Sequence, residues 1–466
     1  MARPRTLQLQ TLFDSLPAGE VVSAADLIDR LGVTRTTLSR LVAEAGERIV
    51  RIGRTRATAY AVRQYTAAGS EWPLFRLRPD ASLEELGTVV ALTGDTFHVA
   101  VNAARPNLTR SPDETVEGHF PGLPWYLDDL RPQGFLGRTF AHRRGRDLGV
   151  PDDLNRWQLA DTLQALVRAG GTEIGDLLLG GDAVQMALRG LDAPGDRVPA
   201  GERARRYPER AATALEGEDV GSSPGGEQPK FTATVEHDGG RYAALVKFAQ
   251  PTAGQAAERW ADLLVCEHLA LQCLRDAGMQ AAASEILQTD THTFLEVQRF
   301  DRTVDVLGRR GFVSLLALSS AFVGDAILDW GTSGDALLSQ GWVDRDAQAT
   351  MGRLHAFGRL IGNSDMHQGN LGFHLVDRGP LALAPVYDML PMSLAPSRTG
   401  VLRAPTPLAS VAPERSGQLA YLQWAAPLAA DYWQRVAGST LLRSAVLREL
   451  AAENARRVQA MGQRFG

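Results

Sequence analysis

The chain has almost no lysine. Lys230 and Lys247 are the only lysines among its 49 Lys and Arg residues. A lysine ammonium is a compact charge on a flexible stem, whereas an arginine guanidinium is a planar fork, so the two surviving lysines are expected where the ammonium itself is needed. Both stand in contexts that bind nucleotide phosphates, because Lys230 ends the glycine-rich stretch 221–230 and Lys247 ends a strand-like run. The plain alternative is that two rare lysines lie close together by chance.

Cysteine and long apolar runs are also scarce. Cys266 and Cys273 are the only cysteines, and they lie two turns apart on one face of a helix-like stretch. They are expected to be reduced core residues rather than a disulfide. The sequence shows no apolar N-terminal signal and no run of 18 apolar residues, so it predicts a cytoplasmic protein with no membrane contact.

The acidic excess is spread unevenly. The 466 residues carry a net charge of −5. Residues 1–66 hold ten Arg against six Asp and Glu, which gives them +4 and leaves −9 for the remainder. The length predicts two or three domains. A basic head on an acidic body indicates a separate module that binds nucleic acid.

The first 66 residues have the pattern of three helices and a hairpin. Ser23 and Thr34 are predicted N-caps, Gly32 a turn, and Ile49–Ile52 and Thr58–Val62 the strands. This order resembles a winged helix-turn-helix domain, whose second motif helix enters the DNA major groove. A protein-binding or dimerising helical domain is the alternative, and a homodimer is plausible because such modules often bind palindromes. The resemblance implies contacts to double-stranded DNA by Arg35, Thr36, Thr37, Ser39, Arg40, Arg51, Arg54 and Arg56.

The region between this module and residue 220 shows no chemistry. Residues 64–70 read as a linker, 85–101 as a strand pair, and 152–170 and 182–190 as helices. Arginines and glutamates alternate through 201–218 at helical spacing, which predicts a solvated helix face. Its histidines are too scattered to indicate a metal site.

The most specific pattern lies near residue 370. Asp365 is followed five residues later by Asn370, and a predicted hairpin then leads to Asp388. Asn363, Asp365 and Asn370 would each alone be an ordinary turn former. Together, Asp365, Asn370 and Asp388 have the layout of protein-kinase-like phosphotransferases, in which the first Asp orients the acceptor hydroxyl and the other two residues hold Mg²⁺ on the ATP phosphates. Mg²⁺ requires hard oxygen ligands of this kind.

The expected upstream elements come in the expected order. A hairpin over 231–246 leads into Lys247, and the long helix that follows offers Glu258 or Glu267 as a partner for it. Spacing alone leaves that choice open. The strand and hinge 294–301 would bring backbone groups at Glu296 to Gln298 to the adenine.

At this point the chain resembles the HipA family of toxin serine/threonine kinases, and within it the YjjJ-type branch with a fused helix-turn-helix. The motifs are Gly-Gly-Glu-Gln-Pro-Lys230, Val-Lys-Phe248, Gln-Arg-Phe-Asp-Arg302, Gly-Asn-Ser-Asp-Met-His-Gln-Gly-Asn370 and Pro-Val-Tyr-Asp388. The resemblance implies Asp365 as catalytic base, Lys247 paired with Glu267, and ATP and Mg²⁺ as cofactors. Gly369 departs from the family, which commonly has a basic residue there. The remaining implied positions are Asn370 and Asp388 for the metal, Gly225, Gly226, Lys230, Lys247, Glu296, Gln298 and His367 for the nucleotide, and Ser222 and Ser223 for autophosphorylation.

The expected architecture is an α+β, two-lobed, protein-kinase-like fold behind the winged module. The predicted domains are 1–66, a β-rich subdomain at 72–220, an ATP-binding N-lobe at 221–300 and a helical C-lobe at 301–466. The implied activity is phosphorylation of a protein, by analogy an aminoacyl-tRNA synthetase, with growth arrest and an antitoxin partner. The alternatives are a DNA-binding regulator whose kinase-like body senses nucleotide, and a small-molecule kinase.

Overall fold

The computed structural model describes residues 5–112, 116–192, 197–216, 228–324, 329–397 and 400–466. The N-terminal module has helices and a three-stranded antiparallel sheet of order β1-β3-β2. The predicted caps are present, because Ser23 accepts a hydrogen bond from the Asp26 N–H and Thr34 from the Thr37 N–H. The elements are α1 (Arg5–Asp14), β1 (Val22–Ser23), α2 (Ala24–Leu31), α3 (Arg35–Ala45), β2 (Ile49–Ile52) and β3 (Ala59–Val62).

The next domain is a five-stranded antiparallel sheet with helices, and its strand order is β7-β6-β5-β4-β8. The predicted strand pair and both predicted helices are present. We call this unit the middle domain. Its elements are β4 (Glu71–Leu77), β5 (Leu83–Leu92), β6 (Thr96–Val101), α4 (Pro106–Thr109), β7 (His119–Phe120), α5 (Gly134–Leu148), α6 (Leu159–Ala169), β8 (Leu177–Leu179) and α7 (Gly181–Asp192).

The N-terminal module is fixed to the middle domain. Ile52 of the module packs in one buried cluster with Val90 and Leu92 of β5, and the Thr93 N–H donates to the Val62 carbonyl at 2.9 Å. The predicted linker 64–70 connects the module to the middle domain and is itself hydrogen-bonded to that domain. The Gln64 N–H bonds the Ala91 carbonyl at 2.9 Å, so this segment pairs with the end of β5.

The N-lobe is a second five-stranded sheet, of order β12-β13-β11-β10-β9, between two helices. Because β9 pairs in parallel with β10, the sheet begins before the predicted boundary at 220/221. The run 201–218 is only partly a solvated face, since Tyr207 on α8 is fully buried against the sheet. The elements are β9 (Arg197–Pro199), α8 (Arg203–Leu215), β10 (Lys230–His237), β11 (Gly240–Ala249), α9 (Gln255–Asp276), β12 (Ser284–Gln288) and β13 (Thr293–Gln298).

The C-lobe is mostly helical, with a small sheet of order β14-β15-β16. Its core includes Trp330, Trp342 and Trp433, each 1% exposed. No helix in the described ranges is both long and apolar enough to span a membrane. The elements are β14 (Val313–Ser314), α10 (Leu315–Phe322), α11 (Trp330–Ser339), α12 (Arg345–Leu360), β15 (Gly372–His374), β16 (Ala382–Leu383), α13 (Gln418–Gly438) and α14 (Ala445–Phe465).

Candidate active site

A buried ion pair links the N-lobe sheet to helix α9. The Lys247 Nζ donates to both carboxylate oxygens of Glu267 at 2.8 Å. Lys247 is 5% and Glu267 1% exposed. Glu258, the other candidate, lies in the first turn of the same helix and is half-buried. The structure therefore pairs Lys247 with Glu267, as the family resemblance implied.

Asp388 completes a cluster with this pair, because its carboxylate also accepts a hydrogen bond from the Lys247 Nζ. Burial alone would lower the pKa of Lys247, but the carboxylates of Asp388 and Glu267 outweigh it and raise that pKa. Burial would raise the pKa of Asp388, but Lys247 and Lys230 outweigh it and lower that pKa. Lys247 and Asp388 are therefore charged at neutral pH.

The backbone at Asp388 is unusual. Its φ is +52°, in the left-handed region that residues other than glycine seldom adopt. Strain of this kind persists where surrounding contacts fix it. Next to it, the Tyr387 hydroxyl donates to the Gly369 carbonyl at 2.8 Å. That bond ties the backbone before Asp388 to the loop that carries Asp365 and Asn370.

Hydrogen bonds within the loop 363–370 fix its conformation. The Asn370 amide donates to the Asp365 carbonyl at 2.9 Å, and the Asp365 N–H donates to the Asn363 side chain at 3.0 Å. His367 accepts from the Gly369 N–H at 3.0 Å. These bonds use the backbone of Asp365 and leave its carboxylate exposed to solvent. A carboxylate presented in this way can accept a proton from an incoming hydroxyl.

The donor set fits Mg²⁺. Asp388 offers a carboxylate, and Asn370, whose amide nitrogen is engaged with Asp365, offers its amide oxygen. Both are hard oxygen donors. Across the described residues, no group of three or more His, Cys, Asp or Glu side chains forms a metal site of protein ligands alone. Mg²⁺ is typically held by one or two carboxylates together with substrate phosphates, so this sparse set is the expected one.

The two lysines face each other across strands β10 and β11, where Lys230 is the direct register partner of Lys247. The Phe248 N–H donates to the Pro229 carbonyl at 3.1 Å, which fixes the chain just before Lys230 onto β11. Ser222, Ser223, Gly225 and Gly226 lie outside the described residues.

The prediction for Glu296 is wrong. Strand β13 is paired on both sides, with β11 and with β12, so its backbone at Glu296 belongs to the sheet. The side chain points to the α8 face, opposite to Lys247, where it accepts bonds from Tyr207 at 2.5 Å and Tyr242 at 2.6 Å. Gln298 ends the same strand, and its N–H donates to the Ala283 carbonyl at 2.8 Å.

A cavity of about 480 Å³ opens beside Asp365. Its walls come from the loop 363–367, from His355 and Arg359 on α12, and from Glu414. The Arg359 guanidinium donates to the Glu414 carboxylate at 2.6 Å. The motif analysis did not find Arg359 and Glu414, because they lie outside the motif loop in sequence. Asn363 was visible only as a turn former.

The predicted DNA contacts lie on one element of the N-terminal module and its hairpin. Arg35, Thr36, Ser39 and Arg40 are exposed on α3. Thr37 differs, because its N–H and hydroxyl both bond the Thr34 side chain and serve the helix cap. On the hairpin, Arg51 and Arg54 are exposed, and the side chain of Arg56 lies outside the described part of the structure.

Comparison with known proteins places this geometry in a family. Residues 68–188 match the family model "YjjJ-like toxin, middle domain", and residues 222–461 match "HipA-like C-terminal domain". Toxin YjjJ of Escherichia coli strain K12 is 37% identical over 445 residues, which are 95% of this chain and 96% of that protein. The chain belongs to the family of YjjJ-like toxins. The predicted resemblance is thereby confirmed for the YjjJ-like and HipA-like parts.

Two solved structures overlap this family member weakly. A chain of the Shewanella oneidensis MR-1 complex of HipA, HipB and operator DNA has a TM-score of 0.48 and 16% identity, covering 84% of this chain and 97% of its own. The Helicobacter pylori proinflammatory kinase CtkA has a TM-score of 0.37 and 12% identity, covering 50% of this chain and 94% of its own. Family membership rests on the sequence matches.

Proposed function

We propose that this chain is an ATP- and Mg²⁺-dependent serine/threonine protein kinase. The observation that carries the proposal is the buried Lys247–Glu267 pair with Asp388 on the same ammonium. A lysine fixed by a helix glutamate beside a metal-binding aspartate is the arrangement that aligns ATP phosphates in kinases. Mg²⁺ would be held by Asp388 and Asn370 and would supply charge neutralisation at the phosphates.

The residues of the loop 363–370 supply the remaining catalytic roles. Asp365 receives or orients the proton of the acceptor hydroxyl, and Asn370 keeps the Asp365 backbone in place. The cavity beside Asp365 is open to solvent and large enough for a side chain of a protein substrate. Lys230, opposite Lys247, adds a second positive charge toward the nucleotide.

Incubation with γ-labelled ATP and Mg²⁺ tests this assignment. We expect label on the chain itself, with Ser222 or Ser223 as the modified residue, and loss of label in Asp365→Asn. The matched control is Glu449→Gln, the same carboxylate-to-amide change at an exposed position of α14. Binding of ATP without transfer would instead support a nucleotide-sensing regulator. Transfer to a small alcohol without protein labelling would support a small-molecule kinase.

We further propose that the N-terminal module binds double-stranded DNA. Its element order, with α2 and α3 joined by the Gly32 turn and a β2–β3 hairpin after them, matches a winged helix-turn-helix. The exposed face of α3 carries Arg35 and Arg40, and Arg40 forms an ion pair with Glu44 at 3.8 Å. Binding of random duplex DNA that weakens steeply with salt is the expected result. Binding unaffected by Arg35→Ala and Arg40→Ala would reject it.

The family and the relative's name extend the proposal to toxicity. Growth arrest would follow from phosphorylation of an essential protein, and the HipA resemblance points to an aminoacyl-tRNA synthetase as the class of target. An antitoxin partner and a homodimer belong to the same proposal. Expression of the chain is expected to arrest growth, whereas expression of its Asp365→Asn variant is not.

A further inference from the structure

The segment that joins the two lobes is anchored on the middle domain. Residues 299–312 run from the end of β13 in the N-lobe to β14 in the C-lobe. The guanidinium of Arg302 donates to the carbonyls of Gly175 at 3.2 Å and Glu173 at 2.6 Å. Arg299 donates to the Glu173 carbonyl at 3.1 Å. In return, the Gly175 N–H donates to the Asp301 carboxylate at 2.9 Å. We call this contact the hinge clamp.

The hinge clamp is buried and directional. Asp301 is 2% and Arg302 8% exposed. Burial would raise the pKa of Asp301, but Arg299 and Arg302 outweigh it and lower that pKa. Buried guanidiniums are costly unless their bonds are well formed, so such a network tolerates little sliding between the parts it joins.

The middle domain also holds the hairpin that separates Asn370 from Asp388. Asp377, at the turn of that hairpin, pairs with Arg76 at 2.8 Å and with Arg105. The Asn107 side chain donates to the carbonyls of Val376 at 2.9 Å and Gly379 at 3.1 Å. We call this contact the hairpin clamp. The middle domain therefore contacts both the segment that leaves the N-lobe and the part of the C-lobe that bears the metal ligands.

We propose that the middle domain is a brace that fixes the two lobes relative to each other, with Arg302 and Asp377 as positioning residues for the cleft. Contacts between domains of one chain are often loose enough for relative motion. Here two polar clamps on the middle domain oppose opening of the cleft. The preformed Lys247–Asp388 contact, which joins the lobes directly, is consistent with a braced cleft. The kinetic part of the test below rests on the proposed kinase function.

A wedge variant tests the brace without touching the cleft. A Cβ at Gly308 would lie 2.2 Å from the Pro79 carbonyl oxygen and 2.5 Å from that of Arg78, both in the middle domain. Gly308→Ala must therefore push the crossing segment away from that domain. Gly190→Ala is the matched control, because a Cβ there meets nothing within 4 Å. Asp377→Asn loosens the second clamp and serves if Gly308→Ala does not fold.

Spin labels give a readout that is independent of activity. Asp238→Cys on the N-lobe hairpin and Arg456→Cys on α14 are both exposed, whereas the native cysteines are buried. In the full chain without nucleotide, we expect a narrow distance distribution by double electron–electron resonance. It should stay narrow in Gly190→Ala and widen in Gly308→Ala and in Asp377→Asn. A broad distribution in the parent, or no widening in folded clamp variants, would overturn the proposal.

The kinetic readout follows autophosphorylation against ATP concentration, well below the melting temperature. Misplacement of reacting groups by about 1 Å can cost about 100-fold in rate. We expect both clamp variants to lose about 10- to 100-fold in maximal rate while they remain folded by circular dichroism. A rate within about twofold of Gly190→Ala, despite a widened distance distribution, would also overturn the positioning role. If the parent transfers no phosphate, the kinase proposal fails and the distance measurement alone decides the brace.

Discussion

Replacing Glu267 by glutamine removes one charge from the centre of the site. The Lys247 ammonium would lose one of two bonds of 2.8 Å, since a glutamine has a single carbonyl oxygen. Loss of a whole partner from a buried pair costs about 3–5 kcal/mol. Here Asp388 still faces the ammonium, and glutamine can still accept one bond. The expected loss in the free energy of unfolding is therefore about 1–3 kcal/mol.

The effect on activity should exceed the effect on stability. Lys247 would be drawn toward Asp388 and away from the position that orients phosphates, so we expect a loss of about 100-fold in the autophosphorylation rate. The assay compares label incorporation with the urea unfolding midpoint of the same protein. Glu258→Gln, on the same helix α9 and half-buried, is the control and should keep the parent's rate. A folded Glu267→Gln with the parent's rate, or an inactive Glu258→Gln, would refute the reasoning.

Four further variants test other parts of the site and fold. Lys247→Arg should lose about 100-fold in rate, because the larger guanidinium does not fit a position that is 5% exposed; an active variant would contradict this in the same assay. Burial raises the pKa of Asp129 to about 6 from 3.8, so the folded state loses stability as pH rises from about 4 to about 6. Asp129→Asn should therefore be more stable than the parent by up to about 3 kcal/mol at pH 8 and nearly equal at pH 4, measured by urea unfolding. Arg35→Ala and Arg40→Ala should each reduce the slope of log K against log salt for duplex DNA by about 1.

The chemistry-bearing residues were predictable because their order and spacing are local. Asp365 and Asn370 lie in one loop, and Asp388 follows a single hairpin. The choice of Glu267 over Glu258 required the position of the whole helix relative to β11, which spacing did not give. The structure supplied it through the bond to Lys247.

The failed predictions have a common physical cause. Strand β13 is buried on both faces, so its residues do not alternate between apolar and polar in a way that reveals which face meets the cleft. The sequence therefore did not show that the Glu296 backbone pairs with both neighbouring strands instead of facing the adenine. The parallel pairing of β9 with β10, which moves the N-lobe boundary, joins segments that have no local pattern in common.

The clamps of the middle domain could not be predicted either, because their partners are far apart in sequence. Arg76 and Asp377 are 301 residues apart in sequence, and each alone reads as an ordinary surface charge. Burial and pairing appear only once the sheets are assembled. The acidic and basic residues of that region therefore showed no chemistry in the sequence.

Intact-mass spectrometry after incubation with ATP and Mg²⁺ tests the central claim most directly. The chain should first be dephosphorylated, and the parent compared with Asp365→Asn. The account predicts an added phosphate on the parent alone, mapped to Ser222 or Ser223. An unmodified parent, from protein that binds ATP, would contradict it and leave a nucleotide-binding regulator or a small-molecule kinase.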